Sequence, residues 1–279
     1  MINITFCLLA IALYCTAIVI GWRHYMSNSK ALVDSPQSNS DNKSSQLWLI
    51  RAGIVTHALS LRAILWTTAG FDVHIMPLFS LIVLAILVAV VAIRHLFDQH
   101  LITFTLLPLA IFSVLLILFI KYESIMLGHL QTVTIVHIIS SILAYSILSI
   151  AALLAMQIFI QHALLKRQKG SHLVNALPLT ASENLMFQTI KIGVFLLSIS
   201  LISGFLFVEN LFAQHLIHKT ILSLLAWALF TFLLLGRWRY GWRGMLAIKM
   251  TLAGMFVLLL GYFGSKFVLE VILQRAWQL

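Results

Sequence analysis

The chain has 279 residues, of which 61% are hydrophobic and only 9% charged, and its mean hydropathy is +1.03. A water-soluble protein could not hide that much apolar surface, because its exterior would have to be as greasy as its core. The formal net charge is +10, yet the basic residues are split among separate short loops and form no long basic face, so no nucleic-acid partner is expected.

In chain order, apolar runs occupy 2–22, 47–67, 75–94, 101–120, 131–161, 186–208, 216–236 and 245–272. Each is close to or above the roughly 20 residues a helix needs to cross the hydrocarbon. They do not alternate as barrel strands would, so their backbone groups must be satisfied within each segment, as helices. The expected fold is therefore all-α: a polytopic transmembrane bundle of about eight spans. The first run has no basic residue before it and no small-x-small site after it, so it reads as a retained helix rather than a signal peptide. The second run carries Arg51, His57 and Arg62, and the fourth is short, which makes these two the least regular spans.

Between spans, residues 26–46 are rich in Ser and Asn and without aromatics, the composition of a mobile loop. The chain accordingly divides into 1–46, a first helix with this loop, and 47–279, a transmembrane domain. A second connector, 162–180, runs into Thr180-Ala-Ser-Glu183, which has the spacing of a helix-capping box. Cys7 and Cys15 lie eight residues apart on one helix, too far along the axis to pair with each other.

Basic residues fall after alternate spans: Arg23, Lys30 and Lys43; Arg94; Lys166, Arg167 and Lys169; Arg237, Arg239 and Arg243. The opposite loops and the C-terminal end hold Lys121 and Arg275. Positive loops stay cytoplasmic, so both termini are expected to face outward. The same charges favour contact with anionic membrane lipid, and the setting is a bacterial inner membrane.

Of the 11 histidines, His24, His74, His95, His100, His129, His162, His172 and His215 fall at helix ends or in loops, where solvation accounts for them. His57 sits near the middle of the second span, His137 six residues into the fifth, and His218 at the entrance of the seventh. An ionisable residue inside a span usually faces a bundle interior or cavity, although a neutral histidine can also simply tie two helices together. Three on separate helices, two of them at similar depth, favour a shared metal site. Imidazole ligates Zn, Cu or Fe. A zinc or copper cage would recruit Cys, Asp or Glu as well, whereas haem needs only one or two protein ligands. Arg62 and Lys219 are placed to meet haem propionates or to snorkel to the interface. Tyr145 shares a helical face with His137 and Ser141 and would line a pocket or pack. Trp22, Trp48, Trp66, Trp238 and Trp242 lie where spans end, as an interfacial belt does.

The segment HIISSILAYSILSIAALLAMQ from His137 resembles the His-plus-SYxxL helix of the cytochrome c assembly (CcsA/CcmC/HemX-like) membrane family. The next helix, SENLMFQTIKIGVFLLSISLISGFLF, is similar to that family's following span, including its Gly and Ser-Gly positions. HKTILSLLAWALF, the loop Gly241–Gly244 and the segment Tyr262–Phe267 follow in the family's order. The resemblance covers roughly 50–272, and among subgroups it is to the YpjD-like inner-membrane proteins. It implies haem binding or haem handling in cytochrome c maturation, with outward-facing histidine ligands and partners among other membrane proteins of haem or cytochrome maturation. By it, His137 matches the family's outer histidine, and Lys219 falls where the haem-presenting segment has its lysine. The sequence departs from the family at Glu209–Ile217, which lacks that segment's Trp and Asp, and at Gln274–Leu279, which lacks a second outer histidine.

The function expected is thus haem binding or handling, with His57, His137 and His218 as candidate iron ligands and Arg62, Lys219 and Tyr145 as further cofactor contacts. No nucleophile, acid–base pair or cofactor loop suggests an enzyme. The alternative is a regulatory or scaffold membrane protein that keeps the fold without haem delivery. A small-solute transporter ranks third, since no matching pair of Gly- or Pro-interrupted spans occurs.

Overall fold

The computed structural model describes residues 2–30, 39–67, 70–72, 74–92, 102–120, 126–127, 132–166, 179–207 and 214–261. Eight α-helices occur among them: α1 (Ile2–Lys30), α2 (Asn39–Leu65), α3 (Ile75–Ala92), α4 (Leu107–Phe119), α5 (Thr132–Lys166), α6 (Leu179–Phe207), α7 (Gln214–Tyr240) and α8 (Met245–Leu259). Six of them are long and apolar enough to cross a membrane, and α8 and the segment Thr103–Phe119 are shorter apolar helices. Every expected span therefore corresponds to a helix.

The helices run further than hydropathy alone suggests. The first continues to Lys30, the second begins at Asn39, and the fifth reaches Lys166. Much of the polar 26–46 connector is thus helix standing beyond the apolar run, and residues 31–38 lie outside the described set. Hydropathy marks where lipid is met, whereas a helix ends only where its backbone finds other partners. A π-helical turn, Ile102–Leu106, leads into α4, and Pro108 sits in that helix's first turn, where its missing N–H costs no hydrogen bond.

The chain forms two compact units, residues 1–128 and 129–279. In the first, α1 packs on α2, α2 on α3, α3 on α4, and α4 closes back on α1. The second repeats this cyclic order with α5, α6, α7 and α8. Each unit is thus a four-helix bundle in which helices adjacent in sequence pack on one another. A small antiparallel sheet in the first unit joins β1 (Trp66–Thr67), β2 (Gly70–Asp72) and β3 (Met126–Leu127). Hydropathy gave no sign of it.

Large apolar side chains such as Leu8, Val55, Phe112, Phe195, Ile202, Phe232 and Phe256 point outward. Ala10, Ala17, Ala144, Ala151, Ala155 and Ala226, with Ser80, Ser113 and Ser203, are buried. The core also holds large side chains such as Tyr14, Leu61, Leu148 and Phe230, and the small residues set between them let helix backbones approach closely, which in lipid replaces a hydrophobic driving force.

Candidate functional site

His57 is fully enclosed at the centre of the first unit. Its Nε2 lies 2.8 Å from Ser80 Oγ on α3, and its Nδ1 lies 3.4 Å from Tyr14 Oη on α1. Ser80 Oγ is 3.1 Å from Ser113 Oγ on α4, and Ser113 Oγ donates to the Ala110 carbonyl at 2.8 Å. A proton order running from Tyr14 through His57 and Ser80 to Ser113 and the Ala110 carbonyl satisfies every donor, with His57 as the neutral Nε2–H tautomer. One residue from each of the four helices joins the network. Gly53 makes room for it, because a Cβ there would stand 2.5 Å from the Tyr14 ring. Both imidazole nitrogens are thus engaged, and iron ligation by His57 would require breaking one of these bonds.

His137 is arranged differently. It is half-buried on α5, and its Nδ1–H donates to the Ser200 backbone carbonyl on α6 at 2.9 Å. That carbonyl also accepts from the Ser203 hydroxyl at 3.0 Å. The bond fixes the Nδ1–H tautomer and leaves the Nε2 lone pair with no partner among the described residues. Gly204 explains the geometry. In a helix the side chain at i+4 leans over the carbonyl at i, and the position four residues beyond Ser200 is a glycine. A Cβ at Gly204 would lie 3.1 Å from Cε1 and 3.2 Å from Nδ1 of His137. Ser141 braces the same contact: it donates to the His137 carbonyl at 2.6 Å and meets Ser200 Oγ at 2.6 Å.

Lys219, near the start of α7, lies within electrostatic range of the His137 ring. Tyr145 turns away into the bundle, where its hydroxyl donates to the Leu258 carbonyl of α8 at 3.2 Å; here it packs and ties α5 to α8. The His218 side chain lies outside the described residues, as do residues 208–213 and 262–279. Arg62 is exposed in the last turn of α2 and belongs, with His57, to the first unit. His74, expected to be solvated, is instead buried, with Nδ1 accepting the Met76 amide at 3.3 Å and its own amide on Asp72 at 2.9 Å. The sequence reading missed Tyr14, Ser80, Ser113 and Ser200 as partners. Hydroxyls in apolar helices are too common to single out, and a backbone carbonyl carries no residue-type signal at all.

The opposite end of the second unit is locked. Glu183 Oε1 accepts from the Gly244 amide at 3.1 Å and pairs with Arg237 at 3.4 Å. Arg237 also donates to the Trp242 carbonyl at 3.2 Å and to Asn184 Oδ1 at 3.1 Å. Gly241 and Gly244 take positive φ (66° and 65°), which turns the chain sharply enough to bring Trp242 back onto Gly236 and edge-on to Phe232, 5.1 Å between centroids. Two expectations are corrected here. Glu183 does not close a capping box with Thr180, because the helix already begins at Leu179 and Glu183 Oε1 holds the α7–α8 turn. Trp242 packs inward, whereas Trp22, Trp48, Trp66 and Trp238 are exposed as an interfacial belt requires.

A bundle of this kind, with polar side chains buried between apolar helices and aromatics at their ends, is a multi-pass membrane protein. The family model described as "Cytochrome C assembly protein" matches residues 47–273, and the chain belongs to that family. It is 39% identical over 137 residues to "Inner membrane protein YpjD" of Escherichia coli strain K12, covering 49% of this chain and 52% of that protein. It is 32% identical over 140 residues to an "Uncharacterized 28.8 kDa protein in nifR3-like 5'region" of Azospirillum brasilense, covering 49% and 52%. The chain thus spans about half the length of the curated relatives it matches. No solved structure matches.

Proposed function

We propose that this chain binds haem through His137 and serves haem handling in cytochrome maturation, without itself catalysing a reaction. The observation that carries this reading is the state of His137: Nδ1–H held by the Ser200 carbonyl, Nε2 without a described partner. Ligating histidines characteristically donate their other ring N–H to a carbonyl, which fixes the ring and raises its basicity. The donor set suits haem, which when bound supplies an iron centre taking axial nitrogen ligands. His137 would hold the iron from α5, Gly204 and Ser200 would orient the ring, and Lys219 would meet a propionate. His218, one residue before Lys219, is the candidate second ligand on sequence position alone. His57 is left as the hub of its own bundle. Partners would be other membrane proteins of haem or cytochrome maturation.

A haem titration of the purified protein tests the assignment. Lys219→Gln should weaken haem binding by about tenfold, the worth of one charge-assisted contact, and His218→Ala should alter the reduced spectrum. Unchanged binding in both would remove these two residues from the site. The scaffold reading is favoured by one feature, the absence of Trp and Asp from 209–217. It requires that partner capture survive the double change of His137 and His218 to alanine.

A further inference from the structure

An open groove of about 490 Å³ lies on the first unit, lined by Phe6 of α1, Leu59, Arg62 and Ala63 of α2, and Trp66 of β1. Its volume falls in the range of small-molecule sites, and its walls are apolar except for a single guanidinium. Arg62 is in the last turn of α2, three residues before that helix ends at Leu65. Leu59 lies deeper and Trp66 lies at the rim, so the groove runs from the apolar layer to the boundary that Trp66 marks. Trp66 is braced by the sheet, edge-on to Phe71 at 6.1 Å. No described residue pairs with Arg62, and among the described residues no carboxylate lines the groove. An exposed guanidinium at that boundary is placed to meet the phosphate of a lipid headgroup.

The geometry points to a specific seat for one anionic phospholipid, its headgroup phosphate on Arg62 beneath Trp66 and an acyl chain along Phe6 and Leu59. A zwitterionic lipid fits less well, because its ammonium would find no carboxylate among the lining side chains. The guanidinium presents a planar fork of donors that matches phosphate oxygens. This proposal assigns Arg62 to lipid rather than to a haem propionate, and it does not rest on the haem reading.

The test is native mass spectrometry of the full chain in mild detergent, with phosphatidylglycerol and phosphatidylcholine added at equal concentration. Wild-type protein should retain phosphatidylglycerol in preference. Arg62→Gln should lower that retention about tenfold, to the phosphatidylcholine level, and Arg62→Lys, which keeps the charge and loses the fork, should fall between the two. Ala63→Phe, which fills the groove and leaves the charge, should also lose it. Equal retention of the two lipids, or an Arg62→Gln variant that keeps the preference, would overturn the proposal. So would displacement of the lipid by inorganic phosphate, which needs no acyl chain, or by haemin, which would make the groove a porphyrin site. His137→Ala should leave lipid retention unchanged, so failure of the haem reading and failure of this one are distinguishable.

Discussion

Two histidines in apolar helices look alike in sequence, and their surroundings separate them. His57 gives both nitrogens to hydroxyls of neighbouring helices, while His137 gives one to a backbone carbonyl. A buried donor stripped of its acceptor costs about 1–3 kcal/mol. Ser80→Ala should therefore destabilise the protein by that amount in detergent unfolding, and Tyr14→Phe by less, since its 3.4 Å contact is long. Equal stability of Ser80→Ala and wild type would mean that the network does not hold the bundle. At the second site, Gly204→Ala places a methyl 3.1 Å from the His137 ring. Haem affinity should fall several-fold, with a displaced Soret maximum, while Gly193→Ala, which presses on Leu148 instead, should affect stability and leave the spectrum unshifted. The place of His137 near the start of its helix was legible from its span, and Ser203-Gly204 from the family pattern. The reason for the glycine was not, because it concerns the carbonyl four residues earlier.

That arrangement recurs between elements. Gly21 lies four residues after Ala17, and Gln46 of α2 donates to the Ala17 carbonyl at 3.0 Å and to Thr103 Oγ1 at 3.0 Å. A Cβ at Gly21 would meet Gln46 Nε2 at 2.5 Å. In both units a helical glycine uncovers a carbonyl for a side chain of the adjacent helix, which a composition count reads only as a weak helix former. The α7–α8 turn shows the reverse error, where a local pattern suggested a cap and a tertiary contact won. Glu183→Gln should loosen that turn and lower stability by about 1–2 kcal/mol, in line with hydrogen bonds to a charged group. An unchanged melting curve would assign the turn's geometry to Trp242 and the two positive-φ glycines alone.

For the whole molecule, the number and order of apolar runs were enough to give an all-helical membrane fold, since lipid leaves the backbone few other solutions. Which helices cluster was not readable, because lipid-facing and bundle-facing positions are both apolar; the two cyclic four-helix units emerge only from packing. Orientation rests on the basic loops. Reporter fusions after Lys169 and after Arg243 should be active in cytoplasmic form, and a C-terminal fusion in exported form, with the opposite pattern reversing the topology.

The most direct measurement is the absorption spectrum of the detergent-purified protein with added haem, oxidised and reduced, beside His137→Ala. A Soret band with sharp reduced bands in the wild type, lost in the variant, is the result expected if His137 Nε2 ligates iron. A wild-type protein that stays colourless with haem present, or a variant with the same spectrum, would contradict it.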